Sequence, residues 1–300
     1  MIELKNDALT MFLFHGVVTK HDYEIRNYIR KHLDRDYFYS FLRNALDQGG
    51  KALSMDEVVH YYEEGKGYPP KSFAVTFDDG FENNLTVAAP ILDNLNIPSI
   101  FYLTSGWIEN NTMGWIDRLE YCFEETESVA LLLPWNKESV YVSTPDEKIE
   151  LLEQIRSRIK TSEEINSYDF VSDIFRQCGL NEPASGSGQL DKKISWDQIN
   201  KLLENDLFSI GGHTVNHPVM AHLKDDDLEF EIGHNIEAIL KHTSVEKITH
   251  FAYPEGLEYC YSDRVISALK NHGIKSSPTA ISGYNGKNVE LFHLNRFLVT

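Results

Sequence analysis

The sequence predicts an α/β fold, a βα-barrel-like domain in which buried strands alternate with amphipathic helices. Two observations support this prediction. Apolar runs such as "SFAVTF", residues 72–77, are followed by segments with helical periodicity. Polar or glycine-containing clusters come directly after several of these runs, at the strand ends where α/β sheets place their binding sites. Such alternation indicates parallel strands joined by crossover helices. It does not determine whether the sheet closes into a barrel.

The elements follow one another with recognisable start and stop signals. Ser54 is followed three residues later by Glu57, a capping-box pattern, and Gly65 ends that helix. Gly49 and Gly50 end the helix before it. The predicted strands are residues 9–18, 72–77, 98–108, 208–214, 248–254 and 292–299. The predicted helices are residues 36–53, 54–65, 84–96, 195–207, 224–244 and 261–273.

The alternation is interrupted between residues 116 and 194, which we interpret as a helical insertion. Residues 115–129 and 144–180 have amphipathic helical patterns, and the following "NEPASGSGQ" has the composition of a loop. The 300 residues are enough for one large domain with a sizeable core. We therefore expect a single domain over residues 1–300 that contains this insertion.

The composition is that of a soluble globular protein, with 42% hydrophobic and 25% charged residues. The 28 lysines and arginines are outnumbered by 46 aspartates and glutamates, which gives a net charge of −18. So acidic a chain repels nucleic acid and anionic membranes, and no strong basic run offsets this. We expect no nucleic-acid partner, and the oligomeric state stays open.

The chain also carries features that predict a cytoplasmic location. Glu3 and Asp7 fall where a signal peptide has its basic region, and no stretch of eighteen apolar residues is present. Cys122, Cys178 and Cys260 are odd in number and far apart in sequence, which is typical of reduced thiols rather than of a disulfide or zinc-finger framework. We therefore expect no membrane insertion.

The first cluster with possible chemistry is Asp78 and Asp79, followed by Gly80. Aspartate and glycine are common in turns, so a solvated turn is one interpretation. The other is a catalytic site, because the pair follows a predicted buried strand. Successive side chains of a strand point to opposite faces, so adjacent carboxylates can serve two separate roles.

The second cluster is "GGHTVNHP", residues 211–218. His213 and His217 are four residues apart, a spacing that one turn of helix or tight loop brings to the same side. A catalytic zinc site needs three protein ligands and an open position, which two imidazoles and one carboxylate can provide. The alternative is an ordinary pair of surface or packed histidines.

The third cluster is "FAYPEG", residues 251–256, which also follows a predicted strand. It has the composition of a Pro–Gly turn, and nothing more is needed to explain it. Such a turn can also present backbone N–H groups to a developing oxyanion. By contrast, the acidic run of residues 225–227 opens a helix and is explained by the helix dipole.

Taken together, the clusters resemble the motifs of the polysaccharide deacetylase family, the NodB-homology domains of carbohydrate esterase family 4. "TFDDG" (76–80) resembles the first motif, "HTVNHP" (213–218) the second, and "FAYPEG" the third in a Phe-Ala-Tyr-Pro branch. The order of the three agrees, and the resemblance extends over residues 9–299 apart from the insertion. It implies a distorted (β/α)7 barrel.

The resemblance also implies roles for individual residues. Asp78 would be the general base, while Asp79, His213 and His217 would bind a metal, expected to be Zn²⁺ with other divalent transition metals as alternatives. A backbone N–H near Glu255 would help to stabilise the oxyanion. The neighbouring Tyr253 and Pro254 belong to the same expected substrate and oxyanion region.

The sequence departs from the family pattern at several positions. The third motif has no arginine, and Arg296 in the last predicted strand is our candidate to orient Asp78. "LFH" fits the Leu-x-His pattern of the general acid formally, which makes His293 a candidate for that role. Trp107 and Trp115 are candidates for contact with a sugar ring or for ordinary core packing.

The resemblance implies a metal-dependent amide hydrolase that removes an N-acetyl group from an amino sugar. With the cytoplasmic expectation, the substrate would be a nucleotide- or lipid-linked precursor of a bacterial surface glycan. One alternative is a deformylase acting on a formamido sugar. Another is a catalytically inactive carbohydrate-binding or scaffold protein, and a third is a purely structural metal site.

Overall fold

A parallel β-sheet flanked by helices forms the centre of the computed structural model, which describes residues 2–19, 22–162 and 164–300. In chain order, the strands are β1 (Ala8–Phe14), β2 (Gly16–Val18), β3 (His32–Asp34), β4 (Lys51–Ala52), β5 (Ser72–Phe77), β6 (Ser99–Leu103), β7 (Val129–Leu131), β8 (Val140–Val142), β9 (Phe208–Gly212), β10 (Asn285–Gly286) and β11 (Phe297–Leu298). The helices are α1 (Arg35–Asp47), α2 (Met55–Glu63), α3 (Ala89–Asn94), α4 (Ser105–Asn110), α5 (Trp115–Glu125), α6 (Pro145–Lys160), α7 (Ser167–Cys178), α8 (Gly188–Asp191), α9 (Trp196–Leu202), α10 (Asp225–His242) and α11 (Asp263–Asn271).

The main sheet has the order β10-β1-β5-β6-β9, with β11 also paired to β1 and β4 to β5. All of these pairs are parallel except the β1–β10 pair. The core strands β1, β5 and β6 are buried along their whole length, as expected of a parallel sheet with helices on its faces. The predicted α/β fold with a parallel sheet is therefore confirmed.

Beyond β9 the sheet continues through isolated contacts rather than through a ladder. Gly212 forms a parallel bridge with Phe251, and His250 forms another with Ser276. The Arg296 N–H then donates to the Ile281 carbonyl, just before β11 joins β1. The sheet is not formally closed as a barrel. The predicted strands 248–254 and 292–299 are correspondingly wrong in extent, since only bridges and the short β11 occupy them.

Two other predicted strands end earlier than expected. The predicted strand 9–18 is interrupted at His15. Before this residue β1 pairs with β5, and after it β2 pairs with β3. The run 98–108 ends at Leu103, and its last residues form α4. The helix is held by tertiary contacts, because the Gly106 N–H donates to the Val215 carbonyl. The Ser54 capping box is present as predicted.

The insertion packs around a hydrophobic cluster of its own. It comprises α5 to α8 and the β7–β8 hairpin. Leu119, Phe123, Ile155 and Ile174 are among its buried residues, and they are separate from the core around the main sheet. Within the described part of the chain, no helix is both long and apolar enough to cross a membrane.

A buried asparagine of α10 joins the strand ends that carry the polar clusters. The Asn235 Nδ2 group donates to the Leu103 carbonyl at 2.9 Å, to Ser105 Oγ at 3.0 Å and to the Thr214 carbonyl at 2.6 Å. Asn235 is fully buried. These acceptors lie at the end of β6 and in the segments that follow β6 and β9. The Asn235 side chain therefore fixes the two neighbouring loops relative to each other.

We expect Asn235→Ala to lower the free energy of unfolding by about 2–3 kcal/mol, because it removes buried hydrogen bonds to both loops. Urea unfolding followed by tryptophan fluorescence measures the change. Asn110→Ala is the matched control, since Asn110 is exposed and makes one bond to the Gly106 carbonyl. The control should change the free energy of unfolding by less than about 0.5 kcal/mol. Equal effects of the two substitutions would contradict the role given to Asn235.

Candidate metal centre

Asp79, His213 and His217 meet at the carboxyl ends of β5 and β9. Asp79 Oδ1 lies 3.6 Å from His213 Nε2 and 3.4 Å from His217 Nε2. One ligand atom from each of the three residues lies within 4.8 Å of the others. The structure therefore brings together the three residues that the sequence predicted as metal ligands.

The backbone at these clusters is held in unfavourable conformations. Asp79, Thr214, His217 and Glu255 have φ values of +76°, +64°, +60° and +58°. Left-handed conformations are uncommon for residues with a side chain and cost free energy, so they persist only where the surroundings impose them. All three sequence clusters contain at least one such residue, which is typical of a site whose geometry is imposed by the fold.

Hydrogen bonds and ring contacts orient the two imidazoles. His213 Nδ1 lies 2.8 Å from the Ala252 carbonyl of the third cluster, an acceptor. Nδ1 must therefore carry the proton, which leaves Nε2 as a free acceptor directed at Asp79, an arrangement common in metal-binding histidines. The His217 ring stacks on Trp107, with ring centroids 4.9 Å apart and an interplanar angle of 21°.

Glu231 of α10 holds the loop between the two histidines. Its carboxylate accepts from the Val215 N–H at 2.8 Å, the Asn216 N–H at 2.9 Å and the Asn216 side-chain amide at 2.7 Å. The His217 N–H donates to Thr214 Oγ1 at 3.0 Å within the same loop. The position of His217 is thus set by its loop as well as by the ring stacking.

The donor set fits a divalent transition metal. Two imidazole nitrogens and one carboxylate oxygen are ligands that zinc binds, and three protein ligands leave a position open. Asp79 Oδ1 is buried and has no hydrogen-bond partner among the described residues, so it needs a cation to compensate its charge. The other oxygen, Oδ2, is 3.0 Å from Lys31 Nζ.

Electrostatics favour the ionised carboxylate of Asp79 and the neutral imidazole of His217, the states that metal binding requires, whereas at His213 a proton competes with the metal. Burial alone would raise the pKa of Asp79, but Lys31, His213 and His217 hold that pKa well below its usual range. Burial lowers the pKa of His217 to about 4, so its imidazole is neutral near neutral pH. Burial also opposes protonation of His213, but Asp78 and Asp79 outweigh it and raise the His213 pKa.

Asp78 has a different partner. Arg296 NH1 and NH2 donate to Asp78 Oδ1 and Oδ2, each at 2.8 Å, and Arg296 is fully buried. The guanidinium also donates to the Thr279 carbonyl at 2.6 Å and to Thr76 Oγ1 at 3.1 Å. Burial alone would raise the pKa of Asp78, but Arg296 and His213 hold it below its ordinary value. The contact that the sequence suggested between Arg296 and Asp78 is present.

A cavity of about 260 Å³ lies against this centre. Its lining includes Asp78, Asp79, both histidines, Trp115 and Glu255 from the predicted set. The insertion also lines it through Asp117, Arg156 and Lys160, the last of which is paired with Glu255 at 2.5 Å. The insertion therefore forms part of the cavity wall.

Four predicted residues do not line the cavity, and Arg296, which contacts Asp78 from behind it, is one of them. His293 is exposed between buried Phe292 and Leu294, and its Nδ1 lies 3.1 Å from the Tyr261 hydroxyl. Tyr253 is buried and donates to the Phe292 carbonyl, and its neighbour Pro254 is also outside the lining. The structure thus gives no support to His293 as the general acid, because its neighbours occupy the inward positions.

Sequence reasoning missed the cationic part of the cavity wall. Lys31 precedes β3 in "YIRKHLD", and nothing in that segment distinguishes it from an exposed lysine. Arg156 and Lys160 are spaced four residues apart in α6, which is also the pattern of a solvated helix face. Asp117 lies two residues after Trp115 in "WID", and the sequence indicates only Trp115 as a candidate for contact with the substrate.

We expect Arg296→Met to lower the free energy of unfolding by about 3–5 kcal/mol, because it leaves Asp78 buried and unpaired. Arg264→Met is the matched control, since Arg264 pairs with exposed Asp225 and its loss should cost about 0–1 kcal/mol. Adding Asp78→Asn should recover part of the loss in a double variant. Chemical denaturation of the metal-free proteins measures all of these values, and an Arg296 effect no larger than the control would refute the assignment.

Comparison with known proteins agrees with the α/β fold. The solved structures with similar folds include IcaB from Ammonifex degensii, which is 16% identical with a TM-score of 0.62 over 100% of this chain and 94% of that chain. The Streptococcus pyogenes deacetylase PplD, solved in complex with acetate, is 16% identical with a TM-score of 0.60 over 97% and 92%. The BpsB deacetylase domain from Bordetella bronchiseptica is 15% identical with a TM-score of 0.58 over 100% and 98%.

At such identities these structures show a shared fold. No curated protein matches the chain in sequence. A family model described as polysaccharide deacetylase matches residues 65–277, which include all three sequence clusters. This chain therefore belongs to the polysaccharide deacetylase family.

Proposed function

We propose that this protein is a metal-dependent carbohydrate de-N-acetylase that acts on an amino sugar of a bacterial surface-glycan precursor. Membership of the polysaccharide deacetylase family supports de-N-acetylation of a glycan in general. The observation that carries the proposal is that Asp78, paired with Arg296, lies beside the Asp79–His213–His217 set, with these four acidic and histidine residues lining one cavity.

The three-residue set would hold the metal, for which Zn²⁺ is our proposal and other divalent transition metals are alternatives. When bound, the ion supplies Lewis-acid chemistry to the amide carbonyl and to water. The chain's own contribution is to present His213 Nε2, His217 Nε2 and Asp79 Oδ1 to one point. The hydrogen bonds to Ala252 and Glu231 keep that arrangement rigid.

Asp78 would accept the proton of the attacking water. Its Oδ2 lies 4.0 Å from His213 Nε2, so the carboxylate is next to the ligand set. Arg296 keeps it ionised and fixes both of its oxygens, which prepares it to act as a base. Since His293 lies outside the cavity, we propose that Asp78 also returns this proton to the leaving amine as the C–N bond breaks and acetate forms.

The cavity wall supports a sugar substrate that carries phosphate. Trp115 would pack its ring on a sugar face, and Glu255 would accept hydrogen bonds from hydroxyl groups. The backbone around Glu255 would contribute to the oxyanion site. Arg156 and Lys160 bring cationic groups into the wall, where Lys160 is paired with Glu255 and Arg156 has no ion-pair partner among the described acidic residues of the cavity. These cations support a nucleotide- or lipid-linked substrate, since both linkages contain phosphate.

We also propose a cytoplasmic location, on the strength of the three free cysteines. A deformylase would use the same residues on a smaller acyl group, so the acyl product distinguishes it. The inactive-scaffold alternative has less support, because a binding protein needs no free base beside a metal set.

Acetate release measures the proposed activity directly. Wild-type protein with Zn²⁺ should release acetate from one or more of three N-acetylhexosamine classes, namely nucleotide-linked, lipid-phosphate-linked and unlinked. Asp78→Asn should lower the rate by about 10²- to 10⁴-fold, because the base is lost. A chelator should abolish the release and added Zn²⁺ should restore it. The exposed Asp225 provides the control, and Asp225→Asn should leave the rate unchanged.

Three results would contradict the proposal in different ways. Release of formate from the matching N-formyl hexosamines, with no acetate from the N-acetyl ones, would identify a deformylase. Sugar binding without Asp78-dependent release would identify a scaffold. Bound metal with no effect of a chelator on release would exclude a metal-dependent reaction.

His293→Ala tests the assignment of the proton to Asp78. Because His293 is exposed and outside the cavity, we expect kcat to change by less than about twofold, whereas loss of a general acid costs about 10²- to 10⁴-fold. Acetate release under saturating substrate is the measurement, with Asp78→Asn assayed in parallel. A decrease of a hundredfold would restore His293 as the acid.

A further inference from the structure

Lys31 lines the cavity and contacts a residue of the metal set, yet the proposed reaction assigns it no role. Its Nζ lies 3.0 Å from Asp79 Oδ2 and 3.1 Å from Asp117 Oδ1. The side chains of Lys31, Asp79 and Asp117 are only 15%, 3% and 7% exposed, so these contacts are shielded from water. Lys31 thus bridges two buried carboxylates, one in the metal set and one in the insertion.

The charge network extends beyond Asp117 to a second lysine. Lys193 Nζ lies 4.0 Å from Asp117 Oδ2 and over the Phe81 ring, and its side chain is fully buried. It therefore belongs to the same charge network, but its ion pair is with Asp117, and Asp79 acts on it only at longer range. The network alternates in sign from Asp79 through Lys31 and Asp117 to Lys193.

We propose that Lys31 is a positioning residue of the metal centre. It holds Asp79 Oδ2 away from the ion, so that Oδ1 alone faces the nitrogens of His213 and His217. Asp117 of α5 anchors Lys31, which couples the insertion to the metal centre. The inference rests on the metal set of the proposed function.

The alternative is that Lys31 merely repels a bound cation. Asp117 bears on this choice, because its carboxylate lies as close to Lys31 Nζ as Asp79 does and offsets part of the lysine charge. Orientation of the ligand remains, and loss of groups that orient metal ligands typically weakens metal binding by about 10- to 100-fold. Removal of Lys31 should therefore weaken binding, whereas simple repulsion predicts tighter binding.

The Zn²⁺ dissociation constant separates these predictions without any substrate. Competition with a chromophoric chelator at one fixed pH gives the constant for the full chain and its variants. We expect Lys31→Met to raise it by about 10- to 100-fold. Lys193→Met is the matched control, because it removes a buried lysine of the same network that is not in contact with Asp79. It should leave the constant within about threefold of wild type, well below the effect expected for an orienting group.

A second variant guards against misfolding of the first. Lys31→Gln keeps a polar group between the carboxylates, but its amide nitrogen is one atom short of the lysine position, so zinc binding should again weaken. Near-UV circular dichroism of the metal-free proteins verifies their folds. Wild-type or tighter affinity in a folded Lys31 variant would overturn the inference and leave the proposed function intact. Absence of zinc binding by the wild type would overturn both.

Discussion

The structure depends on the burial of two adjacent carboxylates at the end of one strand. An isolated buried charge is prohibitively costly, so each aspartate needs its own compensation. Asp78 receives it from a bidentate arginine, and Asp79 receives it from Lys31 on one oxygen. Asp79 Oδ1 has no hydrogen-bond partner in the described chain, and that oxygen faces the two imidazoles. The different partners give neighbouring residues of the same type different chemistry.

The fold collects these partners from distant segments. Arg296 comes from the last strand region, Lys31 from the loop before β3, and Asp117 from the helical insertion. The parallel arrangement makes this possible, because the ends of β5, β6 and β9 face one edge where loops and the insertion converge. Irregular segments after β9 complete the surroundings through bridges instead of a full strand ladder. The third cluster mainly positions other residues of the site, since the Ala252 carbonyl orients the His213 ring.

The insertion has two functions in this arrangement. Most of its apolar side chains pack in a second hydrophobic cluster beside the sheet, which Ile25 from outside the insertion also joins. Its polar residues then reach the site at two places, where Asp117 contacts Lys31 and Lys160 contacts Glu255. Both contacts are partly buried ion pairs, which contribute little net stability but constrain geometry, because a broken pair leaves a poorly compensated charge. The wall of the cavity is therefore specified by electrostatics as much as by packing.

The sequence by itself determined the α/β class and the order of the three clusters, because these follow from local patterns, and its resemblance to the family motifs implied the candidate metal set. Strand periodicity, the adjacent aspartates and the His-x-x-x-His spacing all act over a few residues. Only the tertiary structure decided the rest. Arg296 lies 218 residues from Asp78, and Lys31 lies 86 residues from Asp117, so their contacts depend on how the whole chain folds. His293 fits its motif formally, but the packing of Phe292 and Leu294 turned it towards solvent.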